Sequence, residues 1–441
     1  MFQNLPSQVH TALNRLQQAG YEAYIVGGCV RDLLMGQTPN DYDITTSALP
    51  EQTALVFDGE RKIDTGLKHG TLTVILDGEA LEITSFRVDG SYTDGRHPDA
   101  VRFTSSLAED LSRRDFTINA MAYAPSAGLV DLFGGQADLL QPVIRCVGTP
   151  ELRFREDALR ILRALRFSSA LDFPIDPDTD RAIRSCAPLL EKISPERIAV
   201  ELKKLLCGKG VRRILMNYAE VLGIVIPELL PLRGFDQKNI HHCYDLLEHS
   251  AAAVEHIAPD PVLRMAALLH DIGKPLCFSL DSDGVGHFYG HAIHSAEIAE
   301  QVLTRLRSSR ADRERIVALV HSHDVQIPAT EKSIRRALGK YGPDLFFQLL
   351  ELKRADNLAQ APAWRDRQAV YDQLEALARE ILTQKQCFSL RDLAVKGSDL
   401  GIPPGPAVGS ALKILLEAVM EERIPNERQA LLEYFHQQCK N

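Results

Sequence analysis

The spacing of apolar residues changes about one third of the way along the chain, and this change restricts the possible folds more than any other feature. From about residue 22 to 135 the sequence alternates short β-rich runs with turns, as in YEAYIVGG, GTLTVILDG, ALEITSFRV and GLVDLFGG. Such runs indicate the strands of a small mixed sheet. From about Pro150 onward apolar residues recur at helical spacing, as in REDALRILRALRFSSAL. We therefore predict an α+β fold in which a mixed-sheet head precedes an all-helical body.

Turn-rich segments divide the helical body. LDFPIDPDTD and VIPELLPLRGFDQ interrupt the helical pattern, and the Pro/Gly-rich run GIPPGPAVG precedes the last helices. We predict a division of the chain into four parts. They are a head over residues 1–145, a helical neck over 146–237, a second helical bundle over 238–362 and a C-terminal helical body or tail over 363–441.

The chain is acidic, with a formal net charge of −9 over 441 residues. This charge argues against a protein that coats nucleic acid indiscriminately, because such binding relies on Lys and Arg facing phosphates. Between Pro150 and Arg213, however, 14 Lys or Arg stand against 10 Asp or Glu. This basic stretch in the predicted neck is a candidate track for RNA, although a solvated helical surface explains the charge equally well.

Composition indicates a cytoplasmic protein. No apolar run reaches the length that spans a bilayer, and the N-terminus has the spacing of an ordinary first helix rather than a secretory signal. Eight cysteines are scattered without a CxxC pair, which suits a reducing compartment. No feature of the sequence indicates an oligomeric state.

Two motifs in the predicted head place phosphate-binding and metal-binding groups in one region. Gly27 and Gly28 lie between a strand-like and a helix-like segment, so backbone N–H groups there can approach phosphate oxygens, and Arg31 can add a charged fork. Such a turn also uses glycine for purely steric reasons. Asp41 and Asp43 alternate along what we predict to be the next extended strand, so they project on one face of it, where they can share Mg²⁺ ions.

Whether a third carboxylate lies beside Asp41 and Asp43 depends on the order of the strands in the sheet. Glu82, in ALEITSFR, joins the two aspartates if its strand lies beside theirs. An isolated DxD is usually surface turn chemistry, but GGxVRD followed by DxD, with a helix between them, is much more specific.

Six motifs occur in the order typical of one family. They are GGCVRD, NDYDI, EITSFR, RRDFTINA, REDALR and SPER, and they cover about the first 200 residues. In these motifs the chain resembles the tRNA nucleotidyltransferase and poly(A) polymerase family, in its bacterial class II branch. The resemblance implies that Asp41 and Asp43 hold catalytic Mg²⁺ while C, C and A are added to tRNA from CTP and ATP. It also implies that Arg114 meets the triphosphate and Asp115 bonds a ribose hydroxyl, although a solvent-facing helix start explains Arg114 as well.

The same resemblance points to a protein template for the incoming base. Asp157 and Arg160 lie three residues apart in a helical pattern, so we expect them to share a face. Asp157 can accept from the exocyclic amino group of cytosine or adenine while Arg160 donates to the adjacent ring nitrogen. Arg163 and Arg166 continue this face and can hold phosphates, although pairing with nearby acids is a fair alternative for Arg166.

The sequence leaves more than one possibility for which nucleotides are added to the RNA 3′ end. The polar segment VDGSYTDGRHPDA, at residues 88–100, favours full CCA addition over CC addition, because family members that add only CC are expected to lack it intact. An enzyme that adds only the terminal A and a poly(A) polymerase stay as alternatives. A hydrolase whose head is a nucleotide-binding regulatory module is a further alternative, and it rests on a second set of residues.

That second set lies in the predicted bundle over residues 238–362. Its order resembles the HD phosphohydrolase superfamily, which implies a divalent metal site. The expected ligands are His249, His270, Asp271, His291, His323 and Asp356. His287, His294 and His321 lie nearby in sequence but are not expected to be ligands.

Imidazole and carboxylate ligands suit Mn²⁺, Ni²⁺, Co²⁺ or Zn²⁺, and spacing does not choose among them. Such an ion would generate a hydroxide able to attack phosphorus, with Lys274 available for the phosphate. The resemblance implies hydrolysis of a 3′-phosphate or a 2′,3′-cyclic phosphate on tRNA. A site that binds metal without turnover is an equally weighted alternative.

Overall fold

The computed structural model describes residue 2 and residues 5–64, 70–89 and 101–438, without the side chains of residues 89 and 101. The chain divides into two compact units, Met1–Pro227 and Glu228–Asn441. Within the described ranges, no helix has both the length and the apolar character that a membrane span requires.

In the described part of the first unit, nine strands form two sheets. The strands are β1 (Ala23–Val26), β2 (Asp43–Thr46), β3 (Arg61–Ile63), β4 (Thr71–Leu76), β5 (Glu79–Ser85), β6 (Arg87–Asp89), β7 (Val101–Phe103), β8 (Met121–Ala124) and β9 (Gly128–Asp131). Seven of them form a sheet in the order β3-β4-β5-β2-β1-β8-β9, and β6 pairs with β7. The sheet is mixed because β2 and β5 are parallel while the other neighbours are antiparallel.

The first unit also contains eleven helices among its described residues. They are α1 (Ser7–Gln18), α2 (Gly28–Leu34), α3 (Pro50–Val56), α4 (Leu107–Ser112), α5 (Gly135–Leu140), α6 (Pro150–Glu156), α7 (Leu159–Leu171), α8 (Pro177–Cys186), α9 (Pro195–Leu206), α10 (Val211–Asn217) and α11 (Ala219–Leu222). From α6 onward this unit is helical, as the apolar spacing predicts.

The sheet is held by an apolar core on one face. Leu13 and Leu16 of α1 pack into the same buried cluster as Ile25, Ile44 and Ile83 of the three central strands. Because successive strand residues point to opposite faces, burying the isoleucines fixes which polar residues of β2 and β5 face the other way. Asp43 and Glu82 are among those polar residues.

In its described part, the second unit contains nine helices and one short hairpin. They are α12 (Leu246–His256), α13 (Pro261–Leu269), β10 (Ser279–Leu280), β11 (Gly286–His287), α14 (His291–Arg305), α15 (Arg310–Ser322), α16 (Glu331–Tyr341), α17 (Pro343–Leu358), α18 (Gln368–Thr383), α19 (Pro406–Met420) and α20 (Arg428–Gln438). Short 3₁₀ helices along the chain span Thr117–Asn119, Ala187–Lys192, Pro227–Leu232, Lys274–Leu276, Pro362–Trp364 and Gly397–Leu400. Helices α12, α13, α15 and α17 pack on one another, and α14 packs along α15.

The predicted α+β class, with a mixed-sheet head and a helical remainder, is confirmed. One local prediction is wrong, because the helical pattern through REDALRILRALRFSSAL is interrupted. Helix α6 ends at Glu156, Asp157 is extended with φ −142° and ψ 105°, and α7 begins at Leu159. The four-part division of the chain stays a prediction.

Candidate functional site

A cluster of carboxylates lies where β2 begins. Asp43 is the first residue of β2 and its side chain is exposed. The parallel pairing of β2 with β5 places Glu82 opposite Asp43, as a third carboxylate requires. Asp41 precedes β2 by two residues, so the prediction that both aspartates lie within one strand is wrong for Asp41. The sheet thus brings Glu82 beside Asp43, although the two residues are far apart in sequence.

Neighbouring charges and lost hydration act on the carboxylate of Asp43. Loss of hydration raises the pKa of Asp43, and the guanidinium of Arg114 opposes that rise. The negative charges of Asp41 and Glu82 raise the Asp43 pKa further. A divalent cation bound among oxygen ligands would relieve this repulsion, so the chemistry of the residues fits Mg²⁺.

Gly27 forms the turn beside these carboxylates. Its φ of +83° lies in the region that only glycine adopts without strain. A Cβ atom at Gly27 would lie 3.0 Å from Nη1 of Arg114 and 3.9 Å from Oδ2 of Asp43. Gly28 follows as the first residue of α2, and a Cβ there would lie 3.6 Å from Nη2 of Arg31. The glycine turn therefore leaves space between one acidic group and two cationic groups.

Asp110 holds Arg114 in place, and sequence reasoning missed it. Its side chain is fully buried, with Oδ1 accepting from Nη2 of Arg113 at 2.7 Å and Oδ2 lying 3.6 Å from Nη2 of Arg114. Burial alone would raise the pKa of Asp110, yet the two guanidinium groups lower it. The spacing of Asp110 to Arg113 and Arg114, three and four residues on, was the available signal.

Asp115 and Glu201 orient two further arginines. Buried Asp115 accepts hydrogen bonds from Nε of Arg163 at 2.7 Å and from the backbone N–H of Phe116 at 2.9 Å. Buried Glu201 forms an ion pair of 2.7 Å with Arg166. Pairing with a nearby acid was the alternative to phosphate binding that the sequence offered for Arg166. Both oxygens of Asp115 thus accept hydrogen bonds from the protein. The predicted hydrogen bond from a ribose hydroxyl to Asp115 stays a prediction.

Phe167 gathers three of the predicted cationic residues around one ring. The guanidinium carbons of Arg31, Arg163 and Arg166 lie 5.3, 5.4 and 3.9 Å from the ring centroid of Phe167. Arg31 also donates from Nη1 to Oδ1 of Asn119 at 2.8 Å. A cation over an aromatic face is stabilised electrostatically, so Phe167 helps to fix side chains drawn from α2 and α7. Phe167 was not singled out from the sequence.

Asp157 and Arg160 do not share a helix face, because Asp157 lies in the break between α6 and α7. Its Oδ1 accepts from the backbone N–H of Leu159 at 3.0 Å, and its Oδ2 accepts from Nη2 of Arg197 at 2.7 Å. Arg160 is buried and donates to the carbonyls of Arg153 and Arg113 at 3.1 and 3.0 Å. It also bonds Glu156 at 2.5 Å. Their role as a template stays a prediction.

In the second unit, all six residues of the predicted metal site come together. Two overlapping groups of ligand atoms lie within 4.8 Å of one another in each group. One group is His249, Asp356, His270 and Asp271, and the other is Asp271, His291 and His323. They project from α12 and α17, from the ends of α13 and α15, and from the start of α14.

The four imidazoles are oriented by backbone carbonyls. Nδ1 of His249 lies 3.3 Å from the carbonyl of Ala359, and Nδ1 of His270 lies 2.8 Å from that of Ala267. Nδ1 of His291 lies 2.8 Å from the carbonyl of Phe288, and Nδ1 of His323 lies 2.6 Å from that of Val320. Donation from Nδ1–H to a carbonyl fixes the tautomer whose Nε2 carries a lone pair. In the described part of the chain, the buried Nε2 atoms of His249 and His270 make no hydrogen bond. This ligand set fits a divalent metal.

Lys274 and four further histidines lie near the predicted metal site, in space or in sequence, but outside its two groups of ligands. Lys274 is buried, with Nζ 2.7 Å from Oδ2 of Asp271 and 2.9 Å from Oε1 of Gln237. Burial lowers the pKa of His242 to about 3, and Lys274 adds to this effect. His287 and His294 pair with Asp281 and Glu297 instead of joining the cluster, and His321 is exposed. The phosphate-binding role of Lys274 stays a prediction.

Comparison with known protein families matches three parts of the chain. Residues 23–145 match the Poly A polymerase head domain, and residues 172–232 match the model described as "Probable RNA and SrmB- binding site of polymerase A". Residues 288–435 match a model of tRNA nucleotidyltransferase domain 2. The first match contains the carboxylate cluster and the glycine turn.

Similar proteins cover nearly the whole chain. A CCA-adding enzyme of Streptococcus gordonii is 35% identical over 98% of this chain and 98% of its own length. A CCA-adding enzyme of Limosilactobacillus fermentum is 36% identical over 98% of this chain and 97% of its own. The chain belongs to the CCA-adding enzyme family.

Solved structures agree with this assignment. The crystal structure of the Bacillus stearothermophilus CCA-adding enzyme in complex with CTP has a TM-score of 0.71 and 31% identity, and covers 98% of this chain and 97% of that chain. The Thermotoga maritima CCA-adding enzyme complexed with tRNA shares the fold, with a TM-score of 0.55 and 21% identity over 99% of this chain and 97% of that chain. CCA-adding enzymes are divalent-metal-dependent nucleotidyltransferases, and the structure contains candidate ligand groups for metal.

The segment that favoured full CCA addition lies mostly outside the described residues, which end at 89 and resume at 101. The distinction between full CCA addition and A addition therefore rests on the relatives, whose name describes CCA addition.

Replacing Gly27 with Ala should disable nucleotide addition, because the new methyl group meets Arg114 beside Asp43. We expect a loss of at least about tenfold in the rate of CMP incorporation, which corresponds to about 1.4 kcal/mol. Gly20→Ala is the matched control, since Gly20 has a similar φ of +89° but open space around the Cβ position. Both variants should lower Tm to a similar extent, and equal activity in the two would contradict this account of the turn.

Proposed function

We propose that this chain adds C, C and A to the 3′ end of tRNA from CTP and ATP, with release of pyrophosphate. The observation that supports the proposal best is the meeting of Asp41, Asp43 and Glu82 beside the Gly27 turn and Arg114. This cluster lies within the part of the chain that matches the Poly A polymerase head domain. The full-length similarity to CCA-adding enzymes, one of them crystallised with CTP, supports both substrates.

In this proposal the carboxylates of Asp41 and Asp43 hold Mg²⁺, and Glu82 completes the acidic edge. Bound Mg²⁺ would help to ionise the attacking 3′-hydroxyl and neutralise charge on the pyrophosphate. The backbone at Gly27 lets phosphate oxygens approach closely, and the Arg114 guanidinium, held by Asp110, pairs with the triphosphate. These residues therefore orient the α-phosphorus for attack in line with the leaving group.

We also propose that Asp157 and Arg160 select the base. Cytosine and adenine present an amino group beside an unprotonated ring nitrogen, whereas uracil and guanine present the reverse, so two mismatched contacts would reject them. Arg197 supports this role for Asp157 because its guanidinium fixes the carboxylate at 2.7 Å. Arg163 and Arg166, held by Asp115 and Glu201, would contact phosphates or the outer edge of the nucleotide.

The proposed partners are tRNA, CTP and ATP, and because of them we place the chain in the cytoplasm. The excess of basic residues between Pro150 and Arg213 would hold tRNA through its shape and its phosphates. Residues 172–232, which match the RNA-binding model, overlap this stretch. We retain the four-part division at residues 145, 237 and 362 as part of the proposal.

The Asp43→Asn substitution should reduce nucleotide addition by more than about 100-fold, because it removes a negatively charged metal ligand. Asp58→Asn, whose side chain is 90% exposed, is the matched control and should keep full activity. The assay supplies tRNA ending before CCA with each nucleotide alone and then with CTP and ATP together. A long adenosine tract without a need for CTP would indicate a poly(A) polymerase, and addition of A only to tRNA ending in CC would indicate the A-adding alternative.

The Asp157→Asn substitution should weaken discrimination against UTP by about 10- to 100-fold, because the amide can donate where the carboxylate only accepts. Asp178→Asn, at an exposed position of α8, should leave the CTP/UTP ratio of kcat/KM unchanged. An unaltered ratio in the Asp157 variant would remove Asp157 from the template.

The cluster in the second unit supports a second function. We propose that it holds Mn²⁺, Ni²⁺, Co²⁺ or Zn²⁺ and hydrolyses a 3′-phosphate or a 2′,3′-cyclic phosphate on tRNA. The buried Nε2 atoms of His249 and His270, which face the carboxylates of Asp271 and Asp356, favour this proposal. When bound, such an ion would supply a hydroxide near neutral pH.

His270→Ala should abolish phosphate release from tRNA that ends in a 3′-phosphate, whereas His294→Ala should not, because His294 lies outside the cluster and pairs with Glu297. Each of the four metals is added in turn to chelator-treated protein. If none of them gives hydrolysis by the unaltered chain, the cluster binds metal without turnover on these substrates.

A further inference from the structure

Side chains from α2 and α7 meet at the ring of Phe167. The guanidinium carbon of Arg166 lies 3.9 Å from the ring centroid, and those of Arg31 and Arg163 lie 5.3 and 5.4 Å from it. Phe116, which is fully buried, packs edge-on against the same ring, with the two centroids 5.7 Å apart and the ring planes at 77°. The orientation of the Phe167 ring is therefore set by the apolar core.

The three guanidinium groups carry like charges, which repel one another at short range. The carboxylates of Asp32, Asp115 and Glu201 offset this repulsion, since each pairs with one of the arginines at 2.7 Å. Each of these short contacts joins one acid to one arginine, whereas the ring of Phe167 is a contact that all three arginines share. A cation against an aromatic face is stabilised most where water is excluded, so the ring keeps the three groups in one cluster.

A second connection between the two helices runs through Asn119. Its Oδ1 accepts from Nη1 of Arg31 at 2.8 Å, and its Nδ2 donates to Oδ1 of Asp115 at 3.4 Å. The other oxygen of Asp115 accepts from Nε of Arg163 at 2.7 Å. Both Asn119 and Asp115 are buried. A side-chain amide can accept from a cation and donate to a carboxylate at once, which an ionised carboxylate in its place could not do.

We propose that Phe167 and Asn119 are positioning residues for nucleotide addition, which hold Arg31 of α2 and Arg163 of α7 in one group so that a single nucleotide meets both. The inference rests on the proposed function, because it takes these arginines to bind the nucleotide. Neither Phe167 nor Asn119 needs to touch the reacting atoms in this account. Loss of either should therefore weaken the binding of CTP and ATP more than it slows the transfer step.

Fluorinated phenylalanines placed at position 167 of the full chain test the contribution of the ring. Successive fluorine atoms withdraw electrons from the ring face and weaken its attraction for cations, while the shape of the ring changes little. We expect KM for CTP and for ATP to rise in steps, by about three- to tenfold at the most fluorinated ring, with kcat changed by less than about twofold.

The same fluorinated series at Phe154 is the matched control. Phe154 is fully buried in α6, and in the part of the chain that the structure describes no cationic side chain lies over its ring. Fluorine at this position should leave both KM values unchanged. Equal melting temperatures in the two series show that a change in KM does not come from unfolding.

The Asn119→Asp substitution tests the second connection, because an ionised carboxylate cannot donate to Asp115 and repels it. We expect KM for both nucleotides to rise by at least about fivefold, with a smaller change in kcat. Asn14→Asp makes the same chemical change at an exposed position of α1 and should keep both KM values.

The outcomes separate this inference from the proposed function. Values of KM that stay flat across the series at position 167, or that rise equally at position 154, overturn the role of Phe167. An unchanged KM in the Asn119→Asp chain, or a fall in kcat alone, overturns the role of Asn119. In each of these cases the unaltered chain still adds nucleotides, whereas failure of the unaltered chain to extend tRNA would overturn the proposed function and this inference with it.

Discussion

The parallel pairing of β2 with β5 is the contact on which the proposed chemistry of the head depends. It sets Asp43 opposite Glu82, while the antiparallel pairing of β1 with β2 places the Gly27 turn next to the same end of the sheet. Burial of Ile44 and Ile83 on the other face locks this register, because a slip of either strand by one residue would turn its own carboxylate into the apolar core. The free energy gained by burying the apolar core therefore holds the like-charged carboxylates together on the other face, where a divalent cation can offset their repulsion.

The two ligand clusters have different chemistry. The proposed ligands in the head are the carboxylate oxygens of Asp41 and Asp43, which hard cations such as Mg²⁺ prefer. The cluster in the second unit combines imidazole nitrogens with carboxylates and suits transition metals. The contacts that position the two clusters differ as well. Strand register positions the first cluster, and hydrogen bonds from imidazole rings to backbone carbonyls position the second. In our proposal the two sites would therefore differ in the kind of metal that each prefers.

Much of this arrangement could be predicted from the sequence, because the decisive motifs are short and their order is specific. The α+β class followed from the change in apolar spacing, and the six residues of the second cluster followed from the resemblance of their order to the HD phosphohydrolase superfamily. Pairings between distant segments could not be predicted locally. Arg197 beside Asp157 is an example, since this contact joins residues 40 positions apart and arises from tertiary packing. The break at Asp157 was missed because the apolar spacing continues through it, while the extended conformation lets its carboxylate cap the start of α7.

Diffraction from crystals of the full chain soaked with CTP and Mn²⁺, recorded at the manganese absorption edge, would show whether the two aspartates and the glycine turn bind metal and nucleotide together. We expect an anomalous peak within bonding distance of carboxylate oxygens of Asp41 and Asp43, with the triphosphate along the Gly27 turn and beside Arg114. A nucleotide bound away from this turn, or a triphosphate in place with no metal at the two aspartates, would contradict it.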